Sequence, residues 1–226
     1  NIENIFISSP ENVAWLLNLR GKDGPNSPIP NCKIILTNKK KIYFFSCPKK
    51  ISQIKKSKQY KNLIFSNYKD FSKIIHKLKG KNFCIDNISC SLSNESIIKK
   101  TFGIKLRIDP CYLMKSIKNK SEIKHTIDTH IKDGLALTRF IYWIKNVNKK
   151  KITEIEAKNK LEKFRRLNKD YLFPSFDTIA GTGSNGAIIH YRVSKKSNKI
   201  IKKNDIFLCD SGGQYNFGTT DVTRTI

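Results

Sequence analysis

What this chain lacks narrows its class. No apolar run in its 226 residues approaches the ~20 residues of a membrane-spanning helix, so no membrane role is expected. None of its six cysteines stands in a C-x-x-C pair. Cys32, Cys47, Cys84, Cys90, Cys111 and Cys209 mostly lie in apolar contexts and read as reduced, buried thiols, which suits a cytoplasmic, reducing compartment. Acidic residues are few: 18 Asp and Glu stand against 44 Lys and Arg, a net charge of +26. That charge invites a nucleic-acid reading. Arg, the residue of specific phosphate and base contacts, is nevertheless scarce. The excess is Lys, spread along the chain among abundant Asn and Ile, and all three have A/T-rich codons. Genome composition therefore explains the charge, and no specific nucleic-acid partner is expected beyond nonspecific adhesion to polyanions at low salt. No secretion signal is visible, so Asn-x-Ser triplets such as Asn87-Ile-Ser89 read as chance.

What is present reads as α/β. In the first half, Ser9-Pro10-Glu11 is a helix start, followed by a short apolar helix from Val13 to Leu19 that ends at Gly21. Lys33 to Thr37 and Lys41 to Ser46 form a hairpin across Asn38-Lys39-Lys40. Phe71, Ile74, Ile75 and Leu78 mark a helix closed by Gly80. Asn82 to Asp86 is a short strand, and Ser93 caps a helix ending at Gly103. A boundary near Asp109-Pro110 divides residues 1–110 from 111–226.

The second half opens on an amphipathic helix, about Ser121 to Val147, whose stripe runs through Ile123, Ile127, Ile131, Leu135, Ile141 and Ile144. His125 and His130 within it are five apart, a poor fit to a metal pair on one helix face, and read as surface or interface residues. Thr153-Glu-Ile-Glu156 is a capping box for a second helix reaching about Asn168. Strand-like segments follow around Thr178, from Ala187 to Tyr191 and from Asp205 to Cys209. Gly181-Thr-Gly183-Ser-Asn-Gly186 matches G-x-G-x-x-G, but that fingerprint must open a helix, and the residues after it look like a strand. The glycines read instead as a loop that aims His190 into a cleft.

The chemistry concentrates near the end, in Asp210-Ser-Gly-Gly-Gln-Tyr-Asn-Phe-Gly-Thr-Thr-Asp221. A buried strand runs into Asp210, glycines permit a reversal, and a second strand from Thr219 to Ile226 returns Asp221 to the same end of the sheet. Two close carboxylates are costly in an apolar setting unless they share a proton or meet cations. Two readings fit: a divalent metal site, or a structural ion pair with a partner such as Arg224.

These motifs, with Phe176-Asp-Thr-Ile upstream, His190-Tyr191 and Gly218-Thr-Thr-Asp-Val-Thr-Arg-Thr225, closely resemble the Xaa-Pro aminopeptidases of metallopeptidase family M24, which have the "pita-bread" fold. Asn12-Val-Ala-Trp-Leu-Leu-Asn-Leu-Arg-Gly21 resembles the family's central, creatinase-N-like domain. His130-Ile-Lys-Asp-Gly134, Ile152-Thr-Glu-Ile155 and Phe164-Arg-Arg166 resemble the first helices of its catalytic domain. The resemblance is to the three-domain members. It implies a creatinase-N-like α/β domain followed by the first half of a pita-bread domain. It implies two divalent ions, usually Mn²⁺, with Asp210 chelating one and Asp221 bridging both, and His190 donating a hydrogen bond near the substrate carbonyl. The implied substrate is a peptide with proline in second position, and the implied assembly of the full-length protein a homodimer. The family completes its metal site with one His and two Glu downstream of the second Asp, so the chain is expected to be an internal fragment. A prolidase-like peptidase, or a noncatalytic binding protein on the same fold, are the alternatives. Asp210, Asp221 and His190 together speak against the second.

Overall fold

The computed structural model describes residues 2–147 and 151–226. The chain divides into two compact units, Asn1–Ile117 and Lys118–Ile226.

The first unit runs β1 (Asn4–Ile7), α1 (Pro10–Leu17), β2 (Lys33–Thr37), β3 (Ile42–Ser46), α2 (Pro48–Lys55), β4 (Leu63–Asn67), α3 (Phe71–Ile75), β5 (Asn82–Ile85), α4 (Leu92–Lys99), β6 (Gly103–Leu106) and α5 (Cys111–Ser116). Its sheet is ordered β4-β3-β2-β1-β5-β6. The central β1/β2/β3 pairs are antiparallel and the flanking pairs parallel. The doublets Ile34-Ile35 and Phe44-Phe45 split their side chains between the two faces, because a strand alternates with period 2. Ile35 and Phe45 pack with Phe71, Ile75 and Ile98 of α3 and α4, while Ile34 and Phe44 pack with Val13 and Cys111 of α1 and α5. The expected hairpin from Lys33 to Ser46 is present, with Lys40 at φ 59 in its turn. Two helix ends differ from expectation. Asn18 turns left-handed at φ 50 and closes α1 before Leu19, and Ser91 rather than Ser93 caps α4, its side chain accepting from the Asn94 N–H.

The second unit runs α6 (Lys120–Asn146), α7 (Glu154–Arg165), β7 (Tyr171–Pro174), β8 (Ile179–Thr182), β9 (Phe207–Ser211), β10 (Gly213–Tyr215), β11 (Gly218–Thr219) and β12 (Val222–Thr225). Capping boxes start both helices: Asn119 with Glu122, and Thr153 with Glu156. The strands form two antiparallel three-stranded sheets, β11-β10-β7 and β12-β9-β8. Leu137, Phe140, Ala157 and Leu161 of the helices bury Ala180, Phe207 and Cys209 of the second sheet.

The apolar stripe of α6 is only half right. Ile123, Ile127, Ile131 and Leu135 are exposed, and the inward face of that stretch carries Thr129 and Asp133 instead. The physical reason is polar packing. Thr129 fills the space beside Gly218, where an added Cβ would come within 2.6 Å of its Oγ1. Asp133 is held by a buried cation, described below.

Candidate active site

The two aspartates stand on one long hairpin with a break in its middle. β9 pairs with β12 through Asp210↔Thr223 and Ser211↔Val222, and β10 pairs with β11 through Gln214↔Thr219 and Tyr215↔Gly218. The register carries straight through, with Asn216-Phe217 as the turn and Gly212 facing Asp221 at the break. The break requires glycine: a Cβ at Gly212 would overlap the Thr220 carbonyl oxygen and Ser175 Oγ. Ser175 locks the same point, donating from Oγ to the Thr220 carbonyl at 2.8 Å and from its N–H to the Gly212 carbonyl at 3.1 Å.

Period-2 alternation then fixes the faces. Cys209 and Ser211 point inward and are fully buried, whereas Asp210 is half-buried. Thr223 lies opposite Asp210 and donates from Oγ1 to its Oδ1 at 2.8 Å. Asp221, two residues before Thr223, lies in the break just before β12 and is exposed. The strand expected from Thr219 to Ile226 is thus two short strands in different sheets, and the break between them is where Asp221 sits. Among the described residues neither aspartate has an ion-pair partner: Arg224 donates to the Thr223 carbonyl instead. Two carboxylates on one hairpin, neither in an ion pair, are hard oxygen donors suited to Mn²⁺ or Mg²⁺. They are two donors and no more. Among the described residues no group of three or more His, Cys, Asp or Glu could hold a metal ion.

His190 follows a different course from the expected strand. Gly183–Ala187 is a 3₁₀ turn, Ile188 to His190 turns again, and His190 sits at φ 53 with its side chain exposed. The β-branched pair Ile188-Ile189 looked like strand, yet both side chains are exposed. The segment winds instead around the buried carboxylate of Glu154.

Residues 1–122 match the creatinase/prolidase N-terminal domain, and residues 126–226 match metallopeptidase family M24. The chain belongs to the creatinase/prolidase N-terminal domain family, whose model matches more than half of it. Among its relatives, a Drosophila melanogaster Xaa-Pro aminopeptidase is 35% identical over all of this chain, and a probable Xaa-Pro aminopeptidase P of Aspergillus fumigatus 37% identical over 97% of it. The chain spans 38% and 35% of their lengths. The crystal structure of a Caenorhabditis elegans X-prolyl aminopeptidase, described as a cytosolic enzyme with a di-nuclear active site, superposes with a TM-score of 0.87 at 28% identity. It covers all of this chain, which spans 38% of that one. A Pyrococcus horikoshii prolidase, at 24% identity and a TM-score of 0.73, shows the shared fold alone. The fold is therefore that of a creatinase-N-like α/β domain followed by pita-bread elements.

The hairpin rests on a buried network that its motifs did not advertise. Asp133 and Arg165 are each 1% exposed. Arg165 donates from Nε to Asp133 Oδ1 at 2.7 Å and from Nη2 to Oδ2 at 3.1 Å. Tyr215 donates to the same Oδ1 at 2.7 Å, and Arg165 Nη2 also reaches Ser211 Oγ at 3.0 Å. Burial works against the guanidinium charge, but the hydrogen bond and the charge of Asp133 outweigh it and raise the Arg165 pKa. The pair therefore ties both helices to the inward side of the residue next to Asp210. The sequence displayed Asp133 and Arg165 only as members of weaker helical motifs, and nothing local marks them as partners.

Proposed function

We propose that the complete protein is a metal-dependent aminopeptidase that releases the first residue from peptides with proline in second position. The observation that carries this reading is the pair Asp210 and Asp221 on one hairpin broken at Gly212, in a chain 35% identical to an Xaa-Pro aminopeptidase. Asp210 and Asp221 hold two divalent ions, Mn²⁺ by preference, together with ligands from outside residues 1–226. Such ions, when bound, acidify a shared water and polarise the scissile carbonyl. His190 donates a hydrogen bond to the substrate carbonyl oxygen and stabilises the negative charge that develops there. Residues 1–110 serve as the central domain and 111–226 as the first half of the catalytic one. The full-length protein acts in the cytoplasm as a homodimer. No helix among the described residues is long and apolar enough to cross a membrane.

The fold shared with a prolidase keeps a second reading open, that of a peptidase restricted to dipeptides. One assay separates them. The full-length protein, loaded with Mn²⁺, is offered an Xaa-Pro dipeptide and a longer peptide with the same first two residues. Release of the first residue from the longer peptide supports the aminopeptidase. Cleavage of the dipeptide alone supports the prolidase. Cleavage of neither leaves the noncatalytic binding protein.

A further inference from the structure

Glu154 is the one carboxylate of the second unit that is fully buried without a cation: its relative exposure is 0%, and no ion pair forms on it among the described residues. Neutral donors surround it instead. Its Oε1 accepts from the Thr182 N–H at 2.8 Å and from Asn185 Nδ2 at 2.9 Å. Its Oε2 accepts from the Tyr191 hydroxyl at 3.0 Å and from the Lys199 N–H at 3.1 Å. Asn185 Nδ2 also lies 2.8 Å from the Tyr191 oxygen, which closes the ring of contacts. Four donors match the roughly four lone-pair sites of a carboxylate.

The donors span Thr182 to Lys199, and His190 lies between two of them. The other support of that segment is local or at its ends: a 3₁₀ turn, the Ile188 and Tyr191 backbone bonds to Asn185 and Ile188, a turn at Ser194–Ser197 to which Asn185 and Tyr191 also bond, the Gly183 N–H to the Ile206 carbonyl, and the Asn198 side chain accepting from the Ile155 N–H. Beyond Thr182, the last residue of β8, the segment contains no strand. His190 itself occupies a left-handed conformation, which a non-glycine residue keeps only where its surroundings impose it. Glu154 in turn is fixed at the first turn of α7, beside the Thr153–Glu156 capping box.

We infer that Glu154 is the positioning residue of the His190 loop: its buried carboxylate gathers Thr182, Asn185, Tyr191 and Lys199 and so fixes where the His190 ring is presented, without touching substrate. Tyr191 suits the donor role. Burial first, against the opposing hydrogen bond of Ser197 and with the added bond to Glu154, raises its pKa and keeps the hydroxyl protonated. The inference rests on the reading of His190 as a substrate-binding group, and its test has an arm that does not.

Glu154→Gln keeps the volume and replaces one acceptor oxygen with a donor that must face another donor. Tyr191→Phe removes a single donor and serves where Glu154→Gln fails to fold. In the full-length protein, amide hydrogen exchange across residues 183–199 is expected to speed up in both variants while the metal content stays at the parent level. In Glu154→Gln, kcat is expected to fall by about 10- to 100-fold, as for a misplaced catalytic group. Added to His190→Ala, Glu154→Gln is expected to cost no further turnover, because both remove the same contribution. Unchanged exchange at 183–199 in the variants that fold, or losses that multiply with His190→Ala, would overturn the inference. A full-length protein in which His190→Ala retains full turnover overturns the functional reading instead, and hydrogen exchange alone then decides whether Glu154 holds the loop.

Discussion

Replacing Asp133 with Asn should destabilise the second unit far more than any exposed charge change. The substitution keeps the shape of the side chain and discards its charge. Arg165 is then left 1% exposed with a neutral partner, one of whose two acceptor oxygens has become a donor. Tyr215 and Ser211 remain within reach, but neither carries a countercharge. Breaking a buried ion pair from one side costs about 3–5 kcal/mol, a large part of the ~5–15 kcal/mol that holds a domain. Arg166→Ala is the control. It removes an i,i+4 pair with Glu162 whose Arg side chain is 66% exposed, and should cost under about 0.5 kcal/mol. The double variant Asp133→Leu/Arg165→Met should recover most of the loss, because it takes both charges out of the interior together. The two tryptophans make the assay specific, since Trp15 lies in the first unit and Trp143 in the second, packed against Phe140. Urea unfolding followed by fluorescence in a Trp15→Phe background therefore reports the second unit alone. If Asp133→Asn costs no more than Arg166→Ala, the buried pair is not what fastens the hairpin to the helices.

Other expectations can be checked in parallel. Gly212→Ala should open the break between β10 and β9 and cost about 1–3 kcal/mol or more in the same urea assay, since its Cβ meets the Thr220 backbone as well as the Ser175 hydroxyl; a neutral result would show that the strands part easily there. A short iodoacetamide pulse on the native protein should label the half-buried Cys47 first, because burial pushes Cys32 and Cys111 up to about 12 and Cys90 and Cys209 up to about 11; mass spectrometry that finds Cys209 modified as fast as Cys47 contradicts this packing. In the full-length protein, Asp221→Ala should lose more bound Mn²⁺ than His190→Ala, which should keep its metal and lose turnover. Equal metal loss in both would undo the division of roles. A polypeptide of residues 1–226 alone should bind Mn²⁺ weakly and show no peptidase activity, since two carboxylates offer at most about four oxygens to a pair of ions that needs several more protein ligands; robust turnover would refute that ligand count.

How much of this was legible follows from the range of the forces involved. The Thr153–Glu156 capping box places the start of α7 because its four residues satisfy each other. The hairpin from Lys33 to Ser46 and the strand leading into Asp210 are equally local, set by alternation and turn residues. Apart from the helix ends at Asn18 and Ser91, the larger errors fall where a partner distant in sequence decides the outcome. The isoleucine stripe of α6 has true helical period, but Asp133 needs Arg165, 32 residues on, and that need turns Ile127 and Ile131 outward. The pair Ile188-Ile189 has strand-forming side chains, yet Glu154, 31 residues before Asn185, sets the path of the backbone.

Both misreadings have one physical cause. A buried carboxylate must find its donors whatever the local propensity, because leaving it unsatisfied costs more than exposing a few isoleucines. Those two carboxylates also sit behind the groups to which a role is ascribed: Asp133, through Arg165, behind the strand of Asp210, and Glu154 behind the loop of His190. The candidate site residues were readable because they belong to contiguous motifs. What holds them was not, because each support joins α6 or α7 to a strand or loop far along the chain. Substitutions at Asp133 and Glu154 should accordingly separate: the first loosens the hairpin that carries the aspartates, the second only the loop that carries His190. A Glu154 variant that lost metal, or an Asp133 variant that kept the hairpin rigid, would show that the two supports are not independent.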